Sequence, residues 1–430
     1  MIEPRVLKGF RDFLPAQETA RRLLVEKIEA SFRSFGFVPI DTPALEYAEI
    51  LLGKGGGETE RQIYRFTDHG GRDVALRFDL TVPFARFVAE RRGELTFPFK
   101  RYHIAKVWRG ENTQKGRYRE FTQCDFDIVG SDCAAADFEI LLMMKKTLEA
   151  VGAGEITIRI NHRGLFNRFL EKTGVNGKQA EVLRQVDKLS KIGEDGVRAA
   201  LAELLDDEKA RRILEFSGCG NGRSFEETLA VLSGAAGPGP DTERLQSIRR
   251  FMNDAGCAES FVLDPSITRG LDYYTGVVYE TFLNKLPGIG SVCSGGRYDN
   301  LTGLYSKETI PGVGSSIGLD RLQAALEELG AVSEAEGAAA AIICRDGEEA
   351  GRLQALAESF RSEGVSCDVF LEPKKTGQQF ALAEKKRIAW AIIPGEDGLT
   401  LRNIATRENR EGLSADQAAA AIKAAKEGRT

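Results

Sequence analysis

The 430-residue sequence is poor in the residues that build disulfide frameworks and histidine-ligated metal sites. It has seven cysteines, an odd number, and no Cys-x-x-Cys pair, which argues against both a disulfide framework and a zinc site. The three histidines, His69, His103 and His162, lie far apart in the sequence. We therefore expect free thiols in a reducing cytosol and no histidine-ligated metal.

Long apolar runs and a strong charge imbalance are also absent. No window approaches 18 uninterrupted apolar residues, and the first segment, MIEPRVLKGFRDFLP, has no apolar core of signal-peptide length. The net charge of −5 is mild, so an anionic partner would have to meet a local basic surface. The composition predicts a soluble, cytoplasmic chain of two or three domains without a membrane-spanning helix.

The most strongly patterned stretch covers residues 99–130 and predicts a strand, a loop and a second strand. Residues 100–119 contain seven lysines or arginines and one acid, Glu111, with aromatic residues between them. A basic, aromatic loop suits contacts to phosphates and bases. In the second strand, Gln123, Asp125 and Asp127 have a spacing of two and share one face. If buried, this row needs hydrogen-bond partners from a ligand or an opposing strand; a solvated hairpin is the alternative.

Three other stretches have the composition of a ligand site. Asp79 ends a predicted strand just before a helix, although a solvated strand end would have the same pattern. The stretch TRGLDYYTGVVYE (268–280) predicts two strands joined by an Arg-Gly turn, and either a site for a small polar ligand or a core hairpin fits it. GVGSSIGLDRL (312–322) predicts a glycine-rich strand followed by a helix with Arg321 in its first turn, where helix N–H groups favour an anion.

The pattern of predicted strands and helices also divides the chain into segments. Residues 1–330 alternate strands and helices, with an insertion at about 164–258 that is helical throughout. Residues 331–337 form a predicted linker. Residues 338–430 follow the order strand-helix-strand-helix-strand-strand-helix, which predicts a separate α/β module with a mostly parallel sheet.

Several of these stretches together resemble the histidyl-tRNA synthetase family, a class II aminoacyl-tRNA synthetase family, over nearly the whole chain. GFVPIDTPALE, WRGENTQKGRYREFTQCDFDIVG and GVGSSIGLDRL resemble class II motifs one, two and three. TRGLDYYTGVVYE and SVCSGGRYDNL resemble the two signatures peculiar to the histidine enzymes. The resemblance implies a class II catalytic domain on an antiparallel sheet with a helical insertion, followed by a C-terminal α/β anticodon-binding domain.

The resemblance also implies roles for particular side chains, with Arg109 and Arg269 as the catalytic cations on the substrate carboxylate and the ATP α-phosphate. The residues implied to bind histidine are Asp79, Thr81, Arg109, Gln123, Asp127, Arg269, Tyr273 and Tyr274. Those implied to bind ATP are Arg109, Glu111, Phe121 and Arg321. In this scheme Asp79, Thr81 and Gln123 hold the α-amino group, and Asp127 and Tyr274 hydrogen-bond the imidazole.

The reaction implied by the resemblance is the ATP-dependent activation of L-histidine to histidyl-adenylate and its transfer to the 3′ end of tRNA(His). Mg²⁺ would accompany ATP, and motif one would make a homodimer. Ser315 departs from the larger apolar residue expected in motif three, which leaves the fine shape of the adenine pocket open but not the class. Three alternatives remain: a non-catalytic histidyl-tRNA synthetase-like regulatory subunit of ATP phosphoribosyltransferase, a pseudo-synthetase regulatory domain, and a general RNA-binding protein.

Overall fold

The computed structural model describes residues 1–53, 58–114, 116–268, 273–331, 337–345 and 349–427. The chain divides into two compact units: Met1–Asp12 with Arg21–Val332 form the first, and Phe13–Ala20 with Ser333–Thr430 form the second. Most of the predicted linker at 331–337 lies outside the described residues. Over the described ranges, no helix combines the length and apolar character needed to cross a bilayer.

The described residues form helices and strands in alternation along most of the chain. The α-helices are α1 (Pro15–Ser34), α2 (Ala48–Leu52), α3 (Glu58–Gln62), α4 (Thr81–Arg91), α5 (Ala134–Ala150), α6 (Arg163–Lys172), α7 (Gln179–Val186), α8 (Leu189–Leu204), α9 (Asp207–Gly218), α10 (Phe225–Ala236), α11 (Pro240–Asp254), α12 (Leu319–Glu328), α13 (Ala350–Ser362), α14 (Thr376–Lys385) and α15 (Ala415–Glu427). The strands are β1 (Val38–Pro39), β2 (Leu45–Tyr47), β3 (Arg65–Thr67), β4 (Asp73–Leu76), β5 (Phe99–Trp108), β6 (Glu120–Val129), β7 (Ile156–His162), β8 (Phe261–Leu263), β9 (Val277–Leu283), β10 (Cys293–Arg297), β11 (Gly312–Gly318), β12 (Ala340–Ile342), β13 (Cys367–Val369), β14 (Trp390–Gly395), β15 (Gly398–Asn403) and β16 (Asn409–Leu413).

The main sheet of the first unit has the order β1-β5-β6-β11-β10-β9-β7-β8 within the described residues. The strands from β5 to β7 in this order pair antiparallel, whereas β1 and β8 pair in parallel at the two edges. The predicted antiparallel sheet is therefore confirmed, and its edges are parallel. A smaller sheet, β2-β4-β3, lies beside α4 in the sequence and leads to Asp79.

Strand β6 separates the core of the first unit from the polar face of the sheet. Its alternate residues Cys124, Phe126 and Ile128 are buried in the same apolar cluster as Ile28 and Phe32 of α1. The rings of Phe32 and Phe126 are 4.8 Å apart. Because neighbouring residues in a strand point to opposite sides, this packing directs the row from Gln123 to Asp127 to the other face. Truncating a buried phenylalanine typically costs about 3–5 kcal/mol, so the core fixes this orientation firmly.

The strands around the TRGLDYY stretch differ from the predicted hairpin. Strands β8 and β9 do not pair with each other, because β7 lies between them, parallel to β8 and antiparallel to β9. The hairpin prediction is wrong in this respect. Although β8 and β9 are close in the sequence, β7 (residues 156–162) lies between them in the sheet. The connection includes 269–272, which lie outside the described residues.

Residues 163–254, all of them described, contain helices α6 to α11 and no strand. A capping box begins α10: the Ser224 hydroxyl accepts from the Glu227 N–H, and the Glu227 carboxylate accepts from the Ser224 N–H. Such a pair satisfies two donors that a helix start leaves without partners.

The second unit has a five-stranded sheet in the order β13-β12-β14-β15-β16 within its described residues. The β13–β12 and β12–β14 pairs are parallel, and the β14–β15 and β15–β16 pairs are antiparallel. The sheet is therefore evenly mixed instead of mostly parallel. Strand β16 was not predicted, because its NREGL sequence is polar and mostly exposed and carries no apolar alternation.

Candidate active site

A cavity of about 950 Å³ opens on the polar face of the main sheet. Ten of the eleven predicted site residues line it, and Arg269 lies outside the described residues. The ten are Asp79, Thr81, Arg109, Glu111, Phe121, Gln123, Asp127, Tyr273, Tyr274 and Arg321. Residues from five separate parts of the sequence thus meet at one place.

Asp127 lies at the centre of the cavity floor, where β6 has β5 on one side and β11 on the other. The buried Arg101, directly opposite on β5, places its Nη2 2.7 Å from Asp127 Oδ2. The Tyr298 hydroxyl donates a hydrogen bond to Asp127 Oδ1. Burial raises the pKa of Asp127, and Arg101 partly opposes this effect. A carboxylate has about four acceptor positions, so Asp127 can still accept from a ligand.

Two glycines of β11 make room for this carboxylate and its tyrosine. A methyl group added at Gly314 would lie 1.8 Å from Asp127 Oδ1, and one added at Gly312 would lie 2.5 Å from the Tyr298 ring. Both distances are too short for real contacts. The glycine-rich character of motif three therefore has a steric cause at these two positions.

Asp79 lies just before α4, next to Thr81 at the first position of that helix. Its Oδ1 accepts from the Val82 N–H at 3.0 Å, whereas its buried Oδ2 has no hydrogen-bond partner among the described residues. Burial raises the pKa of Asp79 to about 6, against the opposing effects of the Val82 N–H and Arg109. A buried carboxylate with an open acceptor oxygen suits an ammonium group.

Gln123 lies two residues before Asp125 and four before Asp127 on the same face of β6. Its amide Nε2 donates to the Ser316 hydroxyl at 2.8 Å. Its Oε1 is buried and has no partner within the described part of the chain. Asp79 and Gln123 therefore both line the cavity, and each carries a buried oxygen that has no partner among the described residues.

Tyr273 and Tyr274 approach the floor from the segment before β9. The Tyr273 ring lies 4.7 Å from the ring of Tyr274 and 6.2 Å from that of Tyr298, the latter nearly edge-on. Burial, followed by the Tyr274 hydroxyl and the Asp79 carboxylate, holds the pKa of Tyr273 well above its usual range. Tyr273 is therefore a neutral phenol at physiological pH and borders the same pocket as Asp79.

Arg109 follows β5 and is one of the cationic residues that line the cavity. Its Nε donates to the Phe78 carbonyl oxygen at 2.8 Å, and this hydrogen bond does not use the two terminal nitrogens. One of them lies 3.8 Å from the Glu111 carboxylate, and the guanidinium lies 5.3 Å from the Phe121 ring centre. The guanidinium is about one-third exposed, so it can reach an anion in the cavity.

The first residues of the chain hold the basic loop and α12 in place. The Arg11 guanidinium lies 3.6 Å from the Tyr118 ring centre and forms an ion pair with Asp320 of α12. Asp320 also accepts from the Thr122 N–H at 2.7 Å. In the adjacent residue of α12, Arg321 donates to the Ser291 carbonyl oxygen at 2.6 Å. The segment KGFRDFLP therefore contributes to the geometry of motifs two and three.

Ser315 does not shape the cavity with its side chain. It pairs with Phe126 across the sheet and shares the core face of that residue. Its hydroxyl lies 3.1 Å from the Cys293 sulfur and 3.5 Å from the Met144 sulfur. Ser315 therefore lines the cavity through its backbone, and its small side chain lies on the core side of the sheet.

Three residues of this site have no role in the sequence-based scheme. Arg101 and Tyr298 hold Asp127, and Ser316 holds Gln123. Tyr298 belongs to the GGRYD signature, so its position in a motif could have indicated that it belongs to the site. Arg101 was one of seven basic residues in its segment, and only the strand register distinguishes it from the others.

An antiparallel sheet that carries motifs one to three around such a cavity, followed by an α/β module, has the fold of a class II aminoacyl-tRNA synthetase. A family model described as histidyl-tRNA synthetase matches residues 9–322, and one described as an anticodon binding domain matches residues 340–425. The chain belongs to the histidyl-tRNA synthetase family.

Similar proteins agree with this assignment over nearly the full chain. A histidine–tRNA ligase of Treponema denticola is 56% identical over 403 residues, which cover 92% of this chain and 90% of the relative. One of Rhodopirellula baltica is 47% identical over 427 residues, or 96% of each chain. The crystal structure of histidyl-tRNA synthetase from Nostoc sp. PCC 7120 has a TM-score of 0.86 at 31% identity and covers 98% of this chain and 99% of that one.

Proposed function

We propose that the chain is a histidine–tRNA ligase that activates L-histidine with ATP and transfers it to tRNA(His). The observation that carries the proposal is a row of acceptors, Asp79, Gln123 and Asp127, in one cavity with the cation Arg109. Histidine has two groups that donate hydrogen bonds, an ammonium and an imidazole, and one carboxylate. The cavity contains counterparts for all three.

We assign the acceptors according to their surroundings. Asp79 Oδ2 and Gln123 Oε1 accept from the α-ammonium group, with Thr81 beside them. Asp127 and Tyr274 hydrogen-bond the imidazole, and Tyr273 borders it. A ligand without the ring nitrogens would offer no donor to the remaining acceptor positions of the buried Asp127, and sites of this kind reject such ligands by roughly 10⁴-fold.

In the activation step, a histidine carboxylate oxygen attacks the α-phosphorus of ATP, and the bond to the β-phosphate breaks, releasing pyrophosphate. Negative charge increases on the α-phosphoryl oxygens. Arg109 and Arg269 would stabilise this charge, and a preorganised cation of this type is typically worth about 3–4 kcal/mol. No general base is required, since the attacking carboxylate is already ionised.

In the transfer step, a hydroxyl of the terminal adenosine of tRNA attacks the histidyl carbonyl carbon, AMP leaves, and a phosphate oxygen accepts the hydroxyl proton. The adenine of ATP would stack on Phe121, with Arg321 on its other side and near the γ-phosphate, and Glu111 would face the adenine or a metal. Mg²⁺ enters with ATP as part of the substrate. It is usually bound through one or two carboxylates together with phosphates and water, and Glu111, about one-third exposed, can supply one such carboxylate.

The remaining features concern the whole protein. We propose that residues 1–330 form the catalytic domain, with the helical insertion at 164–258, and that residues 338–430 read the anticodon after a linker at 331–337. We also infer a cytoplasmic homodimer. Light scattering tests the dimer: the expected mass is about twice the 47.1 kDa of one chain, and a mass of one chain would contradict it.

Charging of tRNA tests the ligase function. Purified protein, ATP, labelled histidine and unfractionated tRNA should give acid-precipitable histidine, and a tRNA(His) transcript with an altered anticodon should be charged more slowly. Exchanging histidine for another amino acid is the control and should give no label. Folded protein that binds histidine but charges no tRNA would favour the regulatory-subunit alternative.

A further inference from the structure

The orientation of the Gln123 amide decides whether the site attracts or repels an ammonium group. An amide presents an acceptor at Oε1 and two donors at Nε2. With Oε1 toward the cavity, Gln123 accepts from the α-ammonium. Rotated by half a turn, the same side chain would point N–H groups at a cation, and the attraction would become a repulsion.

Ser316 and Asp125 lie beside this amide on the same face of the sheet. Ser316 of β11 is the direct cross-strand neighbour of Asp125 of β6. The Ser316 hydroxyl accepts from Gln123 Nε2 at 2.8 Å, and as the cross-strand neighbour of Asp125 the Ser316 side chain lies beside that carboxylate and lowers its pKa, against the larger effect of burial. Asp125 is only 1% exposed and does not line the cavity, so its effect on a ligand is indirect.

The number of available protons fixes the direction of these hydrogen bonds. An ionised carboxylate accepts only, so the single Ser316 proton is donated to Asp125. Ser316 therefore has lone pairs and no proton to offer Gln123. The amide must turn its Nε2 to Ser316, and its Oε1 is left toward the cavity, where it has no partner among the described residues.

We propose that Asp125 and Ser316 are a positioning pair that fixes the orientation of the Gln123 amide and thereby the recognition of the substrate α-ammonium group. Neither residue touches the substrate: Asp125 sets the direction of the Ser316 proton, and Ser316 sets the direction of the amide. The inference rests on the proposed function, since it concerns the amino group of the histidine that the site binds.

The test compares three ligands that differ in the amino and carboxylate groups. Histidine has both, histidinol has the amine alone, and 3-(imidazol-4-yl)propionate has the carboxylate alone. Ser316→Ala should weaken histidine and histidinol by about tenfold each, the lower end of what a hydrogen bond to a charged group is worth, and should leave imidazolylpropionate within about twofold. Titration calorimetry near pH 8 measures all three, because burial raises the pKa of Asp125 to about 7 and its carboxylate is ionised there.

Three variants test whether the loss of affinity comes from altered packing, and whether Asp125 acts through the Ser316 hydroxyl. Ser217→Ala makes the same chemical change at a buried hydroxyl that donates to the Ile213 carbonyl oxygen within α9, away from the cavity lining, and should bind all three ligands as the parent protein does. Ser316→Thr keeps the hydroxyl and should restore the affinity for histidine. Asp125→Asn added to Ser316→Ala should cost nothing further, because both residues act through the same hydroxyl.

The possible outcomes separate this inference from the proposed function. Equal weakening of all three ligands by Ser316→Ala, or no weakening of any, would overturn the positioning role while leaving the histidine site intact. Weakening confined to the two amines, with rescue by Ser316→Thr, supports it. A parent protein that binds neither histidine nor histidinol would overturn the proposed function itself and the inference with it.

Discussion

At the scale of single residues, the site depends on one buried carboxylate held from two sides. Asp127 has the Arg101 guanidinium at one oxygen and the Tyr298 hydroxyl at the other. These partners fix the rotamer of a short side chain and keep its remaining lone pairs directed at the cavity. We propose that selectivity for imidazole comes from this rigid acceptor, because a mobile one could adapt to other ligands.

Removing the tyrosine hydroxyl tests this arrangement. Tyr298→Phe should weaken histidine binding by about tenfold, since Asp127 loses a hydrogen bond to a charged acceptor. Tyr279→Phe is the matched control: its hydroxyl is equally buried but donates at 2.7 Å to the Gly314 carbonyl oxygen on the core side. The control should lose about 1 kcal/mol of unfolding free energy and keep its histidine affinity. Equal affinities in both variants would contradict the role of Tyr298.

The buried Asp79 carboxylate predicts a pH dependence. Its pKa, raised by burial to about 6, means that Asp79 is ionised above this pH and neutral below it. The ammonium of histidine loses its partner as the pH falls, so kcat/KM for histidine should fall about tenfold per pH unit below 6. The imidazole ring of histidine titrates in the same pH range as Asp79. The pH profile of kcat/KM is therefore repeated with an analogue whose ring stays neutral in this range. A flat profile for that analogue would contradict the prediction.

Much of this residue-scale picture could be predicted from the sequence. Asp79, Gln123 and Asp127 have polar side chains at positions where strand alternation directs them to one face or one strand end. Arg101 and Ser316 could not be predicted, since their roles arise only when three strands adopt a particular register. Register depends on packing of the opposite, apolar face, and no short motif specifies it.

At the scale of elements, close approach of β6 and β11 builds the floor of the site. Asp127 of β6 lies opposite Gly314 of β11, and the absence of a side chain at Gly314 provides the space that the carboxylate occupies. The glycines of motif three thus act on the neighbouring strand as much as on their own. The sequence predicted this strand and helix correctly.

A single methyl group tests this element-scale account. Gly314→Ala would place a Cβ 1.8 Å from Asp127 Oδ1 and 2.8 Å from the Phe126 carbonyl oxygen, so the strands must move apart. We expect a loss of roughly 1–3 kcal/mol in urea unfolding and no measurable histidine binding. Gly234→Ala, in the exposed face of α10 with open space around it, should instead stabilise by about 0.5–1 kcal/mol. Normal histidine affinity in Gly314→Ala would contradict the account.

The order of strands was harder to predict than the strands themselves. β8 and β9 follow each other in the sequence, and adjacent strands commonly form hairpins. In this fold the earlier strand β7 lies between them, because its apolar residues pack in the same core as those of β8 and β9. Sequence alternation indicates that a strand exists and carries little information about its neighbours.

At the scale of the whole molecule, a mildly acidic chain concentrates positive charge in one segment, which suits the anionic groups of the proposed reaction. The net charge is −5, yet residues 100–119 carry seven basic side chains and one acid. Some of these cations, such as Arg101, are structural, and others, such as Arg109, reach the cavity. Composition alone would have missed the site, whereas the distribution of charge along the chain predicted it.

The change in sequence pattern near residue 331 predicts a separate C-terminal module, and the chain divides into two compact units. An apolar cluster of its own lies in the second unit, separate from that of the first. Such independence is expected when adenylate formation belongs to one unit and recognition of the tRNA anticodon to the other.

The central claim is that the cavity of the first unit selects histidine and activates it with ATP. Histidine-dependent exchange of labelled pyrophosphate into ATP measures this step directly, without tRNA. We expect the rate of exchange with histidine to exceed that with any other proteinogenic amino acid by about 10³-fold or more. Folded protein that shows no exchange with histidine, or equal exchange with several amino acids, would contradict it.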